Sequence, residues 1–135
     1  MTNGDVDLPQ VFAGQDLING RFEGQDLVGA DFSMSILRGA DFTGATLVGA
    51  SFAGADAREA DFTEANLSDA SFKDANLFQA DLSYAQLHGV NFEGADLRWA
   101  DLSSAKIDQA SLTRSQTDEN TIFPIGFHPG EDADD

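Results

Sequence analysis

The chain has no cysteine, only three prolines, one tryptophan and one tyrosine, and only seven lysines and arginines among 135 residues. Without cysteine there is no disulfide framework, zinc–thiolate site or thiol nucleophile. Seven cations against 24 acidic residues leave a net charge of −17. That argues against direct nucleic-acid binding and against an anionic membrane, because phosphates demand positive charge. No apolar run stands near the N-terminus, so neither a signal peptide nor a membrane span is read, and the expected location is cytoplasmic. His88 and His128 are the only histidines and neither has metal-ligand spacing. The many serines lack a histidine placed as a base. The glycines do not form a phosphate loop or a calcium-binding nonapeptide. No catalytic set, cofactor or metal is therefore expected.

What the sequence has in abundance is one short pattern. Residues 40–75 read ADFTG ATLVG ASFAG ADARE ADFTE ANLSD ASFKD A. Each repeat carries Ala first, a small polar residue second, Leu or Phe third, and two variable residues. The third position recurs from Phe12 to Leu112 without a slip, which is (112 − 12)/5 + 1 = 21 repeats, and Ala57 alone lacks Leu, Phe or Ile there. Such a period is the first thing to explain. On an α-helix five residues advance about 140° beyond a full turn, so the large side chains would spiral around every side. On a flat strand an odd period would flip each Leu to the opposite face. The pattern works if the chain turns a corner once per repeat. Ala and Leu/Phe then both point inward, the residue between them points outward, and the two variable residues form the corner. Winding this unit builds a β-solenoid with coils about 4.8 Å apart.

Side-chain size tests the number of sides. Three sides would stack Phe12, Leu27, Phe42 and Ala57, a poor match for close packing. Four sides sort the core into a Phe column ending in Leu (Phe12, Phe32, Phe52, Phe72, Phe92, Leu112), a Leu column interrupted by Ala57, a Phe-to-Leu column (Phe22, Phe42, Phe62, Leu82, Leu102) and a second Leu column ending in Ile107. A two-sided coil sorts almost as well.

These residues resemble the A(D/N)LXX motif of the pentapeptide-repeat proteins over residues 10–114, and TIFPIGFHPG resembles endings common in cyanobacterial members. The resemblance implies an all-β fold, a right-handed quadrilateral β-helix of about five four-sided coils. It implies no single activity. Some members imitate B-DNA and bind DNA gyrase. Residues 10–114 hold 16 acidic and 7 basic residues, net −9. A DNA segment as long as five coils, roughly 25 Å, carries on the order of 15 charges. No inserted loop, frequent in gyrase-protecting members, interrupts the repeats. The first reading is therefore a non-catalytic, rigid protein-interaction module with an unidentified protein partner, and the gyrase-directed mimic stands second.

Along the chain, residues 1–9 depart from the repeat and read as an N-terminal cap carrying Val6 and Leu8. Gln15, Gly20 and Gln25 replace the inward Ala in the first coil, which is expected to be partly solvated. The fifth position is Gly at Gly39, Gly44, Gly49 and Gly54 but Glu, Asp, Gln or Tyr from Glu59 to Tyr84. Gly permits positive φ, so a mixture of turn types is expected. At Ala57 either Phe52 and Phe62 lean in or a small void remains. Residues 115–127 read as a decaying repeat followed by a lid, with Pro124 stopping strand pairing. Residues 128–135 read as a disordered acidic tail.

Three surface features stand out. Asp41, Asp61, Asp81 and Asp101 form an outward acidic stripe, with Arg21 at its head. It either satisfies corner N–H groups or is presented to a basic partner; a divalent-cation ladder is weaker. On the next face Arg38, Arg58, Phe78 and Arg98 form a column beside Ile36, Asp56, Asn76 and Asp96, with Trp99 at the corner. The first reading of these residues is a solvated face of Asp–Arg pairs; a protein-docking face stands second, because Arg and aromatic residues are enriched at binding hot spots. Ile122, Phe123, Ile125 and Phe127 form an apolar cluster, expected to cap the rod or to join two copies as a homodimer through a rod end.

Overall fold

The computed structural model describes residues 10–127; the expected N-terminal cap and acidic tail lie outside the described residues. The chain winds as a right-handed quadrilateral β-helix. The four-sided alternative is the one adopted, because parallel bridges join residues twenty apart, as in Arg21↔Asp41↔Asp61↔Asp81↔Asp101 and Asp16↔Ile36↔Asp56↔Asn76↔Asp96. Each side contributes so short an extended piece that, among the described residues, only Gln86–Leu87 (β1) and Lys106–Ile107 (β2), a parallel pair, form strands of two residues. Faces 1 to 4 are numbered from Val11, Asp16, Arg21 and Asp26 respectively.

One repeat accounts for all five of its backbone donors. At residues 61–65, Asp61 N–H donates to Ala40 O in the preceding coil (2.9 Å), while Phe62 and Glu64 N–H donate to Asp81 O (2.7 Å) and Ser83 O (3.0 Å) in the next. Ala65 N–H closes the corner onto Phe62 O at 3.0 Å. The remaining N–H, on Thr63, has no backbone acceptor. It donates to Asp61 Oδ1 at 2.9 Å. The same bond recurs from Ser33 to Asp31, Thr43 to Asp41, Ser68 to Asn66 and Phe78 to Asn76. An unpaired backbone donor is costly, so the second position selects short side chains bearing an acceptor.

The inward residues form one core. Ala30 to Ala105 at the first positions are buried, as are Phe32, Leu37, Phe42, Leu47 and their successors. In the first coil Gln15 and Gln25 are exposed and Phe12 and Leu17 half-buried, as expected of a solvated end. The two Phe columns interlock. Rings stack within a column, as Phe32 on Phe52 at 5.1 Å and 2°, and meet edge to face across the tube, as Phe32 with Phe42 at 5.2 Å and 87°. Both arrangements suit the ring quadrupole. Phe52 and Phe62 stand 5.3 Å apart, no closer than Phe32 and Phe42, so the rings do not lean into the gap at Ala57.

Three expectations are corrected. The corners are not a mixture. Nineteen consecutive fifth positions from Gly14 to Ser104, nine glycines and ten others, all have φ between +58° and +74°. Positive φ at the third residue of a turn closed by an i+3 to i bond is the type II turn. Glu59, Glu64, Gln79 and Tyr84 adopt it at +61°, +62°, +61° and +62°. Bonds to both adjacent coils hold the inner corners, and this outweighs a local penalty of about 1–2 kcal/mol for a left-handed non-glycine residue.

Second, the last repeat is not a solenoid side. Gln109–Leu112 is a 3-10 turn, although Leu112 stays buried. Pairing resumes at Asp96↔Gln116, and Asp101 then bridges Ile122, twenty-one residues on. The extra residue shifts the inward role. Thr121 takes the Ala position, buried, with its hydroxyl donating to Leu97 O at 2.8 Å.

Third, the apolar cluster at the end is split. Phe123 and Phe127 pack on the core and stack on each other at 5.7 Å, forming the lid. Ile122 and Ile125 face solvent, at 51% and 106% exposure. Ile122 occupies an outward bridge position, and Ile125 sits in the turn closed by Phe127 N–H to Pro124 O.

Candidate interaction face

Face 2 comprises residues 16–19, 36–39, 56–59, 76–79 and 96–99, brought into register by the coil of twenty. The structure places Arg38, Arg58, Phe78 and Arg98 in one column, as their spacing implied. Asp56 lies between two guanidinium groups. Arg58 donates through Nε and Nη2 to its two oxygens, both at 2.8 Å, and Arg38 donates through Nε to Oδ2 at 2.7 Å. The Arg58 hydrogen bonds foremost, then Arg38, hold the Asp56 carboxyl well below the usual carboxylate range, against an opposing effect of burial. Two coils on, Arg98 grips Asp96 in the same two-bonded way at 2.9 and 2.8 Å, and Asp96 is likewise depressed, chiefly by that contact. Two parallel N–H···O bonds fix a guanidinium in direction as well as in place.

Arg98 also lies over Phe78, with Cζ 5.6 Å from the ring centroid. Phe78 is half-buried, and Trp99 is 51% exposed at a corner with φ +63°. The apolar edge of the pair and the indole are thus presented on adjacent coils. Arginine and tryptophan combine contact area with directional polar groups, which is why they dominate interface energetics.

Charge separates this face from face 3. Over coils 2 to 5 it carries Arg38, Arg58 and Arg98 against Asp56, Glu59 and Asp96, a balance of zero. Face 3 over the same coils carries Asp41, Asp61, Glu64, Asp81 and Asp101 and no cation. Each aspartate of that stripe accepts the N–H two residues on at 2.9 Å, from Thr43, Thr63, Ser83 and Ser103. The hydroxyls of Thr63, Ser83 and Ser103 add bonds of 2.6 Å to the same oxygens. One oxygen of every stripe carboxylate is thereby committed to its own corner. At the stripe's head, Arg21 pairs with Glu23 at 2.8 Å.

Sequence reasoning did not find the sharing of Asp56 by two arginines or the stacking of Arg98 on Phe78. Both cross coils, so the signal was the spacing of twenty residues. At the rod's C-terminal end, the exposed Ile125 borders an open groove with His88, Lys106, Ile107, Pro124 and Phe127. Among the described residues, no group of three or more His, Asp or Glu side chains is arranged to hold a metal ion, and no helix is long and apolar enough to cross a membrane.

A family model described as a pentapeptide repeat region matches residues 50–122, and one described as pentapeptide repeats (8 copies) matches residues 11–44. No curated protein matches. Among solved structures, the chain is 33% identical to the pentapeptide repeat protein Rfr23 from the cyanobacterium Cyanothece 51142, over 73% of this chain and 63% of that one, with a TM-score of 0.48. It is 32% identical to a pentapeptide repeat protein of the Arabidopsis thaliana thylakoid lumen, over 81% and 61% of the two chains, with a TM-score of 0.44. It is 25% identical to HetL, a pentapeptide repeat protein of Nostoc sp. strain PCC 7120 involved in heterocyst differentiation regulation, over 84% and 70%, with a TM-score of 0.29. The chain spans less than two thirds of the length of the first two.

Proposed function

The chain belongs to the pentapeptide-repeat family, and on that premise we propose that it is a non-catalytic, rigid module that docks a partner protein on face 2. One observation carries the reading. In a chain of net charge −17, face 2 has a neutral balance over coils 2 to 5 and holds a pre-ordered Arg98–Phe78 pair beside the half-exposed Trp99. A neutral face spares a partner the like-charge repulsion that face 3 imposes. Side chains already fixed by Asp–Arg bonds lose less freedom on binding, which favours affinity.

The test is affinity capture with the full chain, followed by the Phe78→Ser/Trp99→Ser variant. The expected result is a bound protein that is lost with this variant and kept with Asp61→Asn/Asp81→Asn on face 3, while the far-UV spectra of both variants stay those of the wild type. Equal capture by both variants overturns the assignment. DNA gyrase supercoiling is expected to be unaffected by the protein.

A further inference from the structure

From unspent hydrogen-bonding capacity on the same face, we infer that the partner presents an extended segment whose one acidic side chain sits between Arg38 and Arg58. This rests on the reading of face 2 as the docking surface. The observation is a surplus of donors over acceptors. Two guanidinium groups share the single carboxylate of Asp56, and Arg38 contacts it only through Nε. Arg38 Nη1 and Nη2 and Arg58 Nη1 have no acceptor among the described residues. Each guanidinium presents five donors in a fixed fork that suits a carboxylate. Both side chains are accessible, at 50% and 39%.

A second cluster of two cations on one carboxylate, Lys73 and Arg114 on Glu93, is looser, at 3.7 and 3.2 Å. No exposed aromatic residue flanks it in the register of its own face. On face 2 the aromatic residues continue the line. With coils about 4.8 Å apart, the midpoint between Arg38 and Arg58 lies about 7 Å along the rod from Phe78 and about 12 Å from Trp99. A strand laid along the rod presents alternate side chains to it at intervals of roughly 6.7 Å. Its residues i, i+2 and i+4 therefore fall on the arginine pair, the Arg98–Phe78 pair and Trp99. The matching segment reads acidic, any, apolar, any, apolar. The field of the rod adds a condition. A broadly acidic partner is repelled by the −17 chain, so the acidic residue must stand in neutral or basic surroundings.

The experiment uses the isotopically labelled full chain and a capped serine-spaced peptide with glutamate, leucine and phenylalanine at alternate positions, titrated by NMR at about 0.15 M salt. The expected result is shifts confined to amides of residues 36–39, 56–59, 76–79 and 96–99. Binding should weaken at least tenfold when lysine replaces the glutamate or when the protein carries Arg38→Gln. That variant leaves the two Arg58–Asp56 bonds in place, so the fold is retained. Lys73→Gln serves as the control and should bind as wild type. Absence of shifts, shifts elsewhere, or equal binding of the lysine peptide overturns the inference. The docking reading fails separately, if capture survives loss of Phe78 and Trp99.

Discussion

The acidic stripe on face 3 allows its two physical roles, capping and repulsion, to be separated by substitution. Asp61 and Asp81 each stand between two like charges, in the series Asp41, Asp61, Asp81, Asp101. Identical 2.9 Å bonds tie their Oδ1 atoms to Thr63 and Ser83, so the carboxylates cannot splay apart without losing the caps. At about 4.8 Å in water, each adjacent pair repels by roughly 0.9 kcal/mol. Replacing both residues with asparagine removes three such contacts, about 2–3 kcal/mol at low salt with the dielectric of water. Asparagine keeps the cap, as Asn66 shows by accepting the Ser68 N–H at 3.1 Å and its hydroxyl at 2.8 Å. Asp61→Asn/Asp81→Asn is therefore expected to raise the melting temperature by on the order of 5 °C at about 10 mM salt. The gain should largely vanish near 1 M, where the Debye length is about 3 Å. Asp61→Ala/Asp81→Ala relieves the same repulsion but leaves two N–H groups uncapped, at about 1 kcal/mol each or more. It should fall well below the asparagine pair at both salt concentrations. Circular-dichroism melts of the three proteins decide the matter. An asparagine pair less stable than wild type at low salt, or a gain unchanged by salt, would refute the reasoning.

Four other outcomes follow from the geometry. Gln79 has φ +61°, so Gln79→Gly exchanges a left-handed penalty of about 1–2 kcal/mol for extra chain entropy of about 0.5–1, and denaturant titration should show a small net gain. Gly44→Ala has open space for the Cβ at φ +66° and should lose about 1 kcal/mol, whereas Gly54→Ala must also displace Met34 Sδ and should lose more. Ala57→Leu completes its column where the rings have not closed in; three buried carbons are worth up to about 2.4 kcal/mol, and a measured loss of stability would mean that the site is already filled. Asp56→Asn should cost about 1 kcal/mol at pH 7, after allowing for the exposure of its arginine partners. Because the folded Asp56 carboxyl is depressed, its contribution is present above the ordinary pKa of 3.8 and is lost as pH falls through the folded value. The difference between wild type and variant should thus be full near neutrality and disappear in strong acid.

The sequence by itself determined which side chains face inward, because a five-residue period with Ala and Leu two apart admits one burial pattern. It also determined that residues twenty apart share a column, as the Phe and Leu ladders sort only on an even number of sides. The positions of Arg38, Arg58, Phe78 and Arg98 followed from that count alone. The tertiary structure alone decided three things. It imposed one type II corner on glutamate, glutamine and tyrosine as well as on glycine, because bonds to two neighbouring coils exceed a local backbone preference. It absorbed one extra residue before Ile122, which turned Thr121 inward and divided the terminal apolar residues between lid and solvent. And it joined Arg38 to Asp56 and laid Arg98 over Phe78, contacts between separate coils whose geometry depends on stacking distance and side-chain reach rather than on any local pattern.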